Sequence, residues 1–229
     1  GKIMSFTIVE ECTARLNRSE QAVPGSNTRF LEKAAQGTSD VVFLDLEDAV
    51  APDQKEQARK NIIEALNDLD WTGKTMSVRI NGLDTHYAYR DIIDVVEQAG
   101  DKLDLIMIPK AGTASDIYAV DMLLTQIEAA KGFSKRIGLE MIIETALGMQ
   151  NVEEIAAASP RNESLHFGVA DYAASPKART TSLGVPTEKY RGLTPPAPDG
   201  NRHHHRGAMR THAIPALVAK SPDLVNFAH

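Results

Sequence analysis

The chain has 229 residues, with 25 Lys and Arg against 31 Asp and Glu, a net charge of -6 and a pI of about 5.7. This length suits one domain, or one domain with an appendage, and the acidic balance argues against nucleic acid or an anionic membrane surface as a partner. No apolar run approaches the roughly 20 residues that span a bilayer, and the first residues lack a signal-peptide pattern. The single cysteine, Cys12, excludes an internal disulfide within the chain and fits a reducing compartment. We therefore expect a cytoplasmic protein.

Short apolar runs alternate with longer amphipathic stretches from about residue 20 to residue 168. Runs without internal alternation are typical of parallel strands buried on both faces. The predicted strands are Gln21–Val23, Val41–Leu46, Met76–Ile80, Leu103–Ile108, Ile137–Ile143 and Leu165–Phe167. Helical spacing between them predicts the helices Asn27–Gln36, Asp53–Leu69, His86–Gly100, Ala114–Lys131 and Ala146–Ala158.

Repeated βα units form either an open doubly wound sheet or a closed (β/α)8 barrel. A polar residue closes or follows nearly every predicted strand, namely Asp45, Arg79, Lys110, Glu144 and Asp171. A barrel collects such residues around one mouth, and no Gly-rich dinucleotide fingerprint follows any strand. The pattern therefore favours an α/β fold of the TIM-type (β/α)8 barrel class, with about six βα units legible.

The periodic pattern ends at residue 184. Residues 1–184 are predicted to form an incomplete βα-barrel catalytic domain, and residues 185–229 an irregular C-terminal segment rich in proline and polar residues. The run His203–His205 in that segment is more typical of a solvated loop than of a metal site. Because six parallel strands leave two unpaired edges, we expect further C-terminal sequence in the functional protein.

The densest charged group is the run Asp45-Leu46-Glu47-Asp48, which places three carboxylates directly after a buried strand. One alternative is that Asp48 or Asp53 caps the next helix. Because one cap does not need three acids, we assign Glu47 and Asp48 to the candidate site.

Glu144 and Asp171 follow neighbouring strands and should emerge at the same face of the barrel. Two such carboxylates suit Mg²⁺, which takes oxygen ligands and keeps waters that a substrate can replace. The structural alternative is that Glu144 forms an ion pair with Arg79 or Lys110.

Two cations complete the candidate set. Arg79 interrupts an apolar strand, and its guanidinium fork matches a substrate carboxylate. Lys110 is placed like the Schiff-base lysine of a metal-independent aldolase, although pairing with the acidic run is the interpretation we favour.

Six motifs occur in order over residues 15–184, and together they resemble the malyl-CoA lyase and citrate lyase beta-subunit family of the HpcH/HpaI aldolase superfamily. These motifs are Ala22-Val23-Pro24-Gly25-Ser26, the run from Leu44 to Val50, Val78-Arg79-Ile80-Asn81, the run from Ile106 to Lys110, Ile143-Glu144-Thr145 and Gly168-Val169-Ala170-Asp171. The helical segments are most similar to the malyl-CoA and beta-methylmalyl-CoA lyase branch.

The resemblance implies a carbon–carbon lyase that cleaves or condenses a 3-hydroxyacyl-CoA thioester, such as malyl-CoA or beta-methylmalyl-CoA, into acetyl- or propionyl-CoA and glyoxylate. It implies Mg²⁺, or Mn²⁺ in its place, held by Glu144 and Asp171. It also implies that Arg79 holds the keto-acid carboxylate, and that Glu47 and Asp48 orient the waters of the metal.

By the same resemblance, Asn27 and Lys33 lie near the CoA moiety, and the backbone around Ala170 and Asp171 touches the substrate. The implied partners are a CoA thioester, a 2-keto acid and further copies of the chain in a trimer or hexamer, with no nucleic acid and no membrane. Two alternatives stay open: a Schiff-base aldolase that uses Lys110, and a non-catalytic paralogue that binds a CoA ester.

Overall fold

A computed structural model describes residues 14–175, so that Cys12, His203–His205 and the predicted segment 185–229 lie outside the described residues. Strands and helices alternate along this part of the chain. In order they are β1 (Glu20–Pro24), α1 (Thr28–Ala35), β2 (Val41–Asp45), a 3-10 turn (Pro52–Gln54), α2 (Lys55–Asp68), β3 (Thr75–Arg79), α3 (Ala88–Ala99), β4 (Leu105–Ile108), α4 (Ala114–Lys131), β5 (Gly138–Ile143), α5 (Ala146–Gln150), α6 (Val152–Ala156), β6 (Asn162–Phe167) and α7 (Val169–Ala174).

The strands form one sheet in which every neighbouring pair is parallel and the spatial order is the chain order, β1 to β6. A doubly wound sheet changes direction at a switch point, which places strands out of chain order. The observed order has no such point, and it confirms the prediction of a (β/α)8 barrel-type fold. Among the described strands, β1 and β6 are the two edges, so the barrel is not closed within this part of the chain.

The two faces of the sheet differ in character because side chains alternate along each strand. On the outer face, apolar residues such as Leu44, Val78 and Ile106 pack against the helices and are fully buried. On the inner face, the register aligns Asp45 on β2 with Arg79 on β3, then with Met107 on β4 and Glu140 on β5. The inner face therefore carries charged side chains on β2, β3 and β5, with an apolar residue between them on β4.

Local signals explain where several helices begin and end. Helix α4 starts with a capping box between Thr113 and Asp116 and ends at Gly132, whose φ of 68° is left-handed and suits glycine. The single helix predicted over Ala146–Ala158 is wrong: it is divided into α5 and α6 at Asn151, whose side chain donates to the carbonyl of Gly112 at 2.8 Å.

The capping alternative for the acidic run is also wrong. Asp53 lies inside the 3-10 turn, and neither this turn nor α2 has a side-chain capping hydrogen bond. Helix α7, which carries Asp171, is an element that the hydrophobic pattern does not predict. In residues 14–175, no helix combines the length and the apolar composition needed to cross a membrane.

Candidate active site

The carboxyl ends of β2 to β5 bring four of the predicted site residues into one chain of contacts. Arg79 pairs with Glu47, and Glu47 pairs with Lys110. The backbone N–H of Lys110 in turn donates to Oε1 of Glu144 at 2.8 Å. Parallel strands end at the same rim of a barrel, so residues that are far apart in sequence meet here.

Arg79 is held by a residue that the sequence analysis did not assign to the site. Its Nε and Nη2 donate to the two carboxylate oxygens of Asp45 at 2.7 and 2.6 Å, and its Nη1 lies 3.3 Å from Oε2 of Glu47. Burial alone would raise the pKa of Asp45, but the hydrogen bonds and the charge of Arg79 outweigh it and lower that pKa. One edge of the guanidinium fork is thus occupied, and the Nη1 side faces the site.

Asp45 and Lys55 together shape the acidic loop after β2. Asp45 accepts the backbone N–H groups of Glu47 at 2.8 Å and Ala49 at 3.1 Å. The buried ammonium of Lys55 donates to the carbonyls of Leu46 at 2.7 Å and Glu47 at 2.6 Å. These bonds fix the loop backbone, so the direction of the Glu47 side chain is set from both sides.

Glu47 is a buried carboxyl group between two cations. One of its oxygens contacts the ammonium of Lys110, and burial raises its pKa despite Lys110 and Arg79. Its other oxygen, Oε2, is buried without a hydrogen-bond partner among residues 14–175. Asp48, by contrast, is 61% exposed and lies 3.9 Å from Lys110. The two acids therefore differ in role: Glu47 faces inward and Asp48 lies at the solvent edge.

Lys110 adopts a left-handed backbone with φ of 51°. Burial would lower the pKa of its ammonium, but the hydrogen bond and the charge of Glu47 outweigh it and raise that pKa. A Schiff base forms from a neutral amine, so this direction is opposite to the one that a lysine nucleophile needs. The structure thus supports the ion-pair interpretation of Lys110.

Glu144 directly follows β5 and is almost completely buried. Burial raises its pKa to about 7; the N–H of Lys110 opposes the shift, while the charges of Glu47 and Asp171 add to it. Asp171 belongs to the first turn of α7, and its charge acts on Glu144. Carboxyl groups that repel one another in a partly buried site are the donor set that a hard divalent cation such as Mg²⁺ takes. The residues present fit that ion.

Gly168, the residue between β6 and α7, leaves room for Glu144. A Cβ at this position would lie 2.5 Å from Oε2 and 2.6 Å from Cβ of Glu144. The motif containing Gly168 was identified in the sequence, but nothing in the sequence shows which side chain passes over this glycine.

The remaining predicted site residues lie at the rim. Asn27 caps α1, since its side-chain oxygen accepts the N–H of Phe30 at 3.2 Å. Lys33 is exposed in the last turn of α1, and Ala170 is exposed on α7. Their assignment to CoA and substrate binding stays a prediction.

A separate surface cleft of about 710 Å³ lies between α2 and α3. Its charged side chains pair with one another: Arg59 and Arg90 both bond to Asp94, and Lys60 bonds to Glu56. The contact chain from Arg79 to Glu144 is not part of the lining of this cleft. We therefore place the candidate active site at the strand ends rather than in the cleft.

Comparisons with known proteins show which proteins this chain is similar to. The chain is 54% identical over 200 residues to an L-malyl-CoA/beta-methylmalyl-CoA lyase of Cereibacter sphaeroides, covering 87% of this chain and 62% of that protein. It is 43% identical over 145 residues to the malyl-CoA/beta-methylmalyl-CoA/citramalyl-CoA lyase of Chloroflexus aurantiacus, covering 63% and 42% of the two chains. The chain therefore spans about three fifths, or less, of the length of these relatives.

Among solved structures, protein CitE from Mycobacterium tuberculosis in complex with magnesium and pyruvate matches with a TM-score of 0.64 and 25% identity. The match covers 93% of this chain and 74% of that one. The model of the HpcH/HpaI aldolase/citrate lyase family matches residues 20–189. This range contains all the described strands and each of the site residues discussed above, and the chain accordingly belongs to the HpcH/HpaI aldolase/citrate lyase family.

Proposed function

We propose that this chain supplies the barrel of a magnesium-dependent carbon–carbon lyase acting on a 3-hydroxyacyl-CoA thioester such as malyl-CoA or beta-methylmalyl-CoA. The observation that carries the proposal is the pair Glu144 and Asp171, two carboxylates beside the Arg79–Glu47–Lys110 chain of ion pairs. The names of the relatives support the substrate class. The complex of CitE with magnesium and pyruvate supports a divalent cation and a 2-keto acid.

Glu144 and Asp171 would hold the cation, and Glu47 and Asp48 would orient its waters. When bound, Mg²⁺, or Mn²⁺ in its place, supplies the positive charge that polarises the keto oxygen of glyoxylate and stabilises the developing negative charge. Lys110 keeps Glu144 and Glu47 in position, because its backbone N–H donates to Glu144 and its ammonium donates to Glu47.

Arg79 would bind the carboxylate of the keto acid through its Nη1 side. Asp45 occupies the Nε–Nη2 edge and so fixes the plane of the guanidinium before the substrate arrives. This preorganisation lowers the entropy that the substrate complex must lose. In cleavage, the hydroxyl proton passes to water, and the electron pair of the O–H bond forms the carbonyl of glyoxylate. The bond between the carbinol carbon and the carbon beside the thioester breaks, and its electron pair forms the thioester enolate. The enolate then takes a proton to give acetyl-CoA or propionyl-CoA.

The outer parts of the substrate would lie at the rim. We assign Asn27 and Lys33 to the CoA moiety, because an exposed ammonium suits a phosphate, and the backbone at Ala170 and Asp171 to the substrate. We also propose that the enzyme works in the cytoplasm as a homo-oligomer, a trimer or a hexamer.

The test is cleavage of malyl-CoA by the purified chain, with glyoxylate trapped as its phenylhydrazone. We expect turnover that EDTA abolishes and that added Mg²⁺ restores. Borohydride with substrate should leave no adduct on Lys110; a trapped adduct would identify a Schiff-base aldolase. Binding of acetyl-CoA without turnover under Mg²⁺ would identify a non-catalytic CoA-ester-binding protein and would overturn the proposal for this chain.

A further inference from the structure

A second cluster of ligand-type side chains lies deeper in the barrel than the candidate active site. It comprises Glu20 at the start of β1, Glu140 on β5 and His166 on β6, whose side chains are 9%, 2% and 7% exposed. Glu140 precedes Glu144 by four residues on the same face, which corresponds to about 13 Å along an extended strand. The cluster is therefore separate from the Glu144–Asp171 pair.

Glu140 is held rigidly in this cluster. Its Oε2 accepts the hydroxyl of Ser77 at 2.9 Å, and its Oε1 accepts the hydroxyl of Ser164 at 3.0 Å. The imidazole of His166 lies between the two glutamates, with Nε2 3.4 Å from Glu140 Oε1 and Nδ1 3.6 Å from Glu20 Oε2. Nε2 is also 3.1 Å from the Ser164 hydroxyl.

The separations between His166 and the two glutamates are long for hydrogen bonds, which lie at about 2.7–3.2 Å for a nitrogen donor and an oxygen acceptor. They match ligand atoms that share an ion: two atoms each about 2.1 Å from a tetrahedral cation are about 3.4 Å apart. One ligand atom from each of the three residues lies within 4.8 Å of the other two.

A second observation points to a cation at this cluster. Oε1 of Glu20 is buried and has no hydrogen-bond partner within residues 14–175. A cation bound among the three side chains would give this orphaned oxygen a partner. It would also displace the proton that the charges of Glu140 and Glu20 favour on His166 against the effect of burial.

We propose that Glu20, Glu140 and His166 form a second divalent-cation site inside the barrel, suited to a transition ion such as Zn²⁺. The imidazole nitrogen favours Zn²⁺ over Mg²⁺, which prefers oxygen ligands alone. Because the ligands come from β1, β5 and β6, the ion would tie the two described edge strands together. Its role is structural, since the cluster is closed to solvent.

The experiment uses the full 229-residue chain, stripped with EDTA and then titrated with ZnCl₂ in excess Mg²⁺, which occupies the Glu144–Asp171 pair. Wild type is compared with Glu20→Gln and His166→Gln. Glu163→Gln is the matched control, because Glu163 lies on β6, bonds to Arg15 and is outside the cluster. Calorimetry gives the number of Zn²⁺ ions bound, and Co²⁺ in place of Zn²⁺ gives visible absorption bands that report a tetrahedral site with a nitrogen ligand.

We expect wild type and Glu163→Gln to bind one more Zn²⁺ per chain than either cluster variant. Zn²⁺ should raise the unfolding midpoints of wild type and Glu163→Gln but not those of Glu20→Gln and His166→Gln. Equal stoichiometry in wild type and Glu20→Gln would overturn the proposal, as would the absence of Zn²⁺ binding to wild type. If His166→Gln does not fold, Glu20→Gln decides the matter, because Glu20 begins an edge strand and its replacement retains a polar side chain.

Discussion

Gly168→Ala tests the position of Glu144 without changing any charge. The added Cβ would lie 2.5 Å from Oε2 and 2.6 Å from Cβ of Glu144, and 3.1 Å from Ile142 Cγ2. Ordinary contacts begin at about 3.4 Å, so Glu144 must retreat by roughly 0.9 Å. A rotation of the side chain cannot remove the clash, because Cβ of Glu144 is itself too close.

A misplacement of about 1 Å in a catalytic group costs about 100-fold in rate. We therefore expect Gly168→Ala to lower kcat/KM for malyl-CoA cleavage by about 100-fold and to weaken Mg²⁺ binding, with overpacking costing about 1–3 kcal/mol of stability. Steady-state kinetics and Mg²⁺ calorimetry measure the two effects, and urea denaturation measures the third.

Gly112→Ala is the matched control. Gly112 lies in the loop between β4 and α4, and its added Cβ would meet the flexible and exposed side chain of Leu147 at 3.1 Å. This variant should keep near wild-type Mg²⁺ affinity. If Gly168→Ala also kept wild-type Mg²⁺ affinity and rate, the orientation of Glu144 would be irrelevant, and its assignment as a metal ligand would be wrong.

Other contacts lead to four further expected outcomes. Glu144→Gln or Asp171→Asn should weaken Mg²⁺ binding and lower the rate of malyl-CoA cleavage by about 10²–10³-fold. Unchanged Mg²⁺ affinity in both variants, measured by calorimetry, would mean that Glu144 belongs to a structural ion pair instead. Arg79→Lys should raise the KM for glyoxylate far more than that for acetyl-CoA, because lysine keeps the charge but loses the planar fork, and equal effects in condensation kinetics would contradict this. The pKa of Glu144 is raised from 4.5 to about 7 in the folded state. Protonation of Glu144 therefore stabilises the folded state fully below pH 4.5, and this stabilisation is lost as the pH rises through 7. In EDTA, Glu144→Gln should thus be more stable than wild type at pH 8 by roughly 1–3 kcal/mol, with no difference at about pH 4, as measured by urea denaturation. Arg161 is buried and bonds to Glu128, Asp121 and the carbonyl of Ile137, so Arg161→Met should cost about 3–5 kcal/mol of stability while Mg²⁺ affinity in the folded protein stays unchanged.

The fold was predictable because strand burial on both faces leaves a strong pattern. The apolar runs around Leu44 and Ile106 predict parallel strands, and polar residues at their ends predict the rim of a barrel. The division between α5 and α6 was not predictable, because it depends on a hydrogen bond from Asn151 to Gly112, which is distant in the sequence. Helix α7 is short, and six residues are too few to establish a helical period.

The candidate site was predictable in its residue types and less so in their pairing. The sequence places Arg79 at a strand end, but only the register shows that Asp45 occupies one edge of its guanidinium. Lys55 resembles any lysine at a helix start, and its burial under the acidic loop depends on the packing of α2. The Glu20–Glu140–His166 cluster was missed for the same reason, because its members are separated by most of the barrel sequence.

The backbone and the side chain of Lys110 contact two different acidic residues. Its N–H group reaches Glu144, and its ammonium reaches Glu47. A left-handed backbone costs a residue with a side chain about 1 kcal/mol, a cost that glycine would avoid. A glycine at position 110 would keep the backbone hydrogen bond to Glu144 but would remove the ammonium that pairs with Glu47. One substitution would therefore change the contacts of Glu47 and leave the backbone contact of Glu144 in place. Substitutions at Lys110 can thus change the ion pair of Glu47 independently of the position of Glu144, the proposed metal ligand.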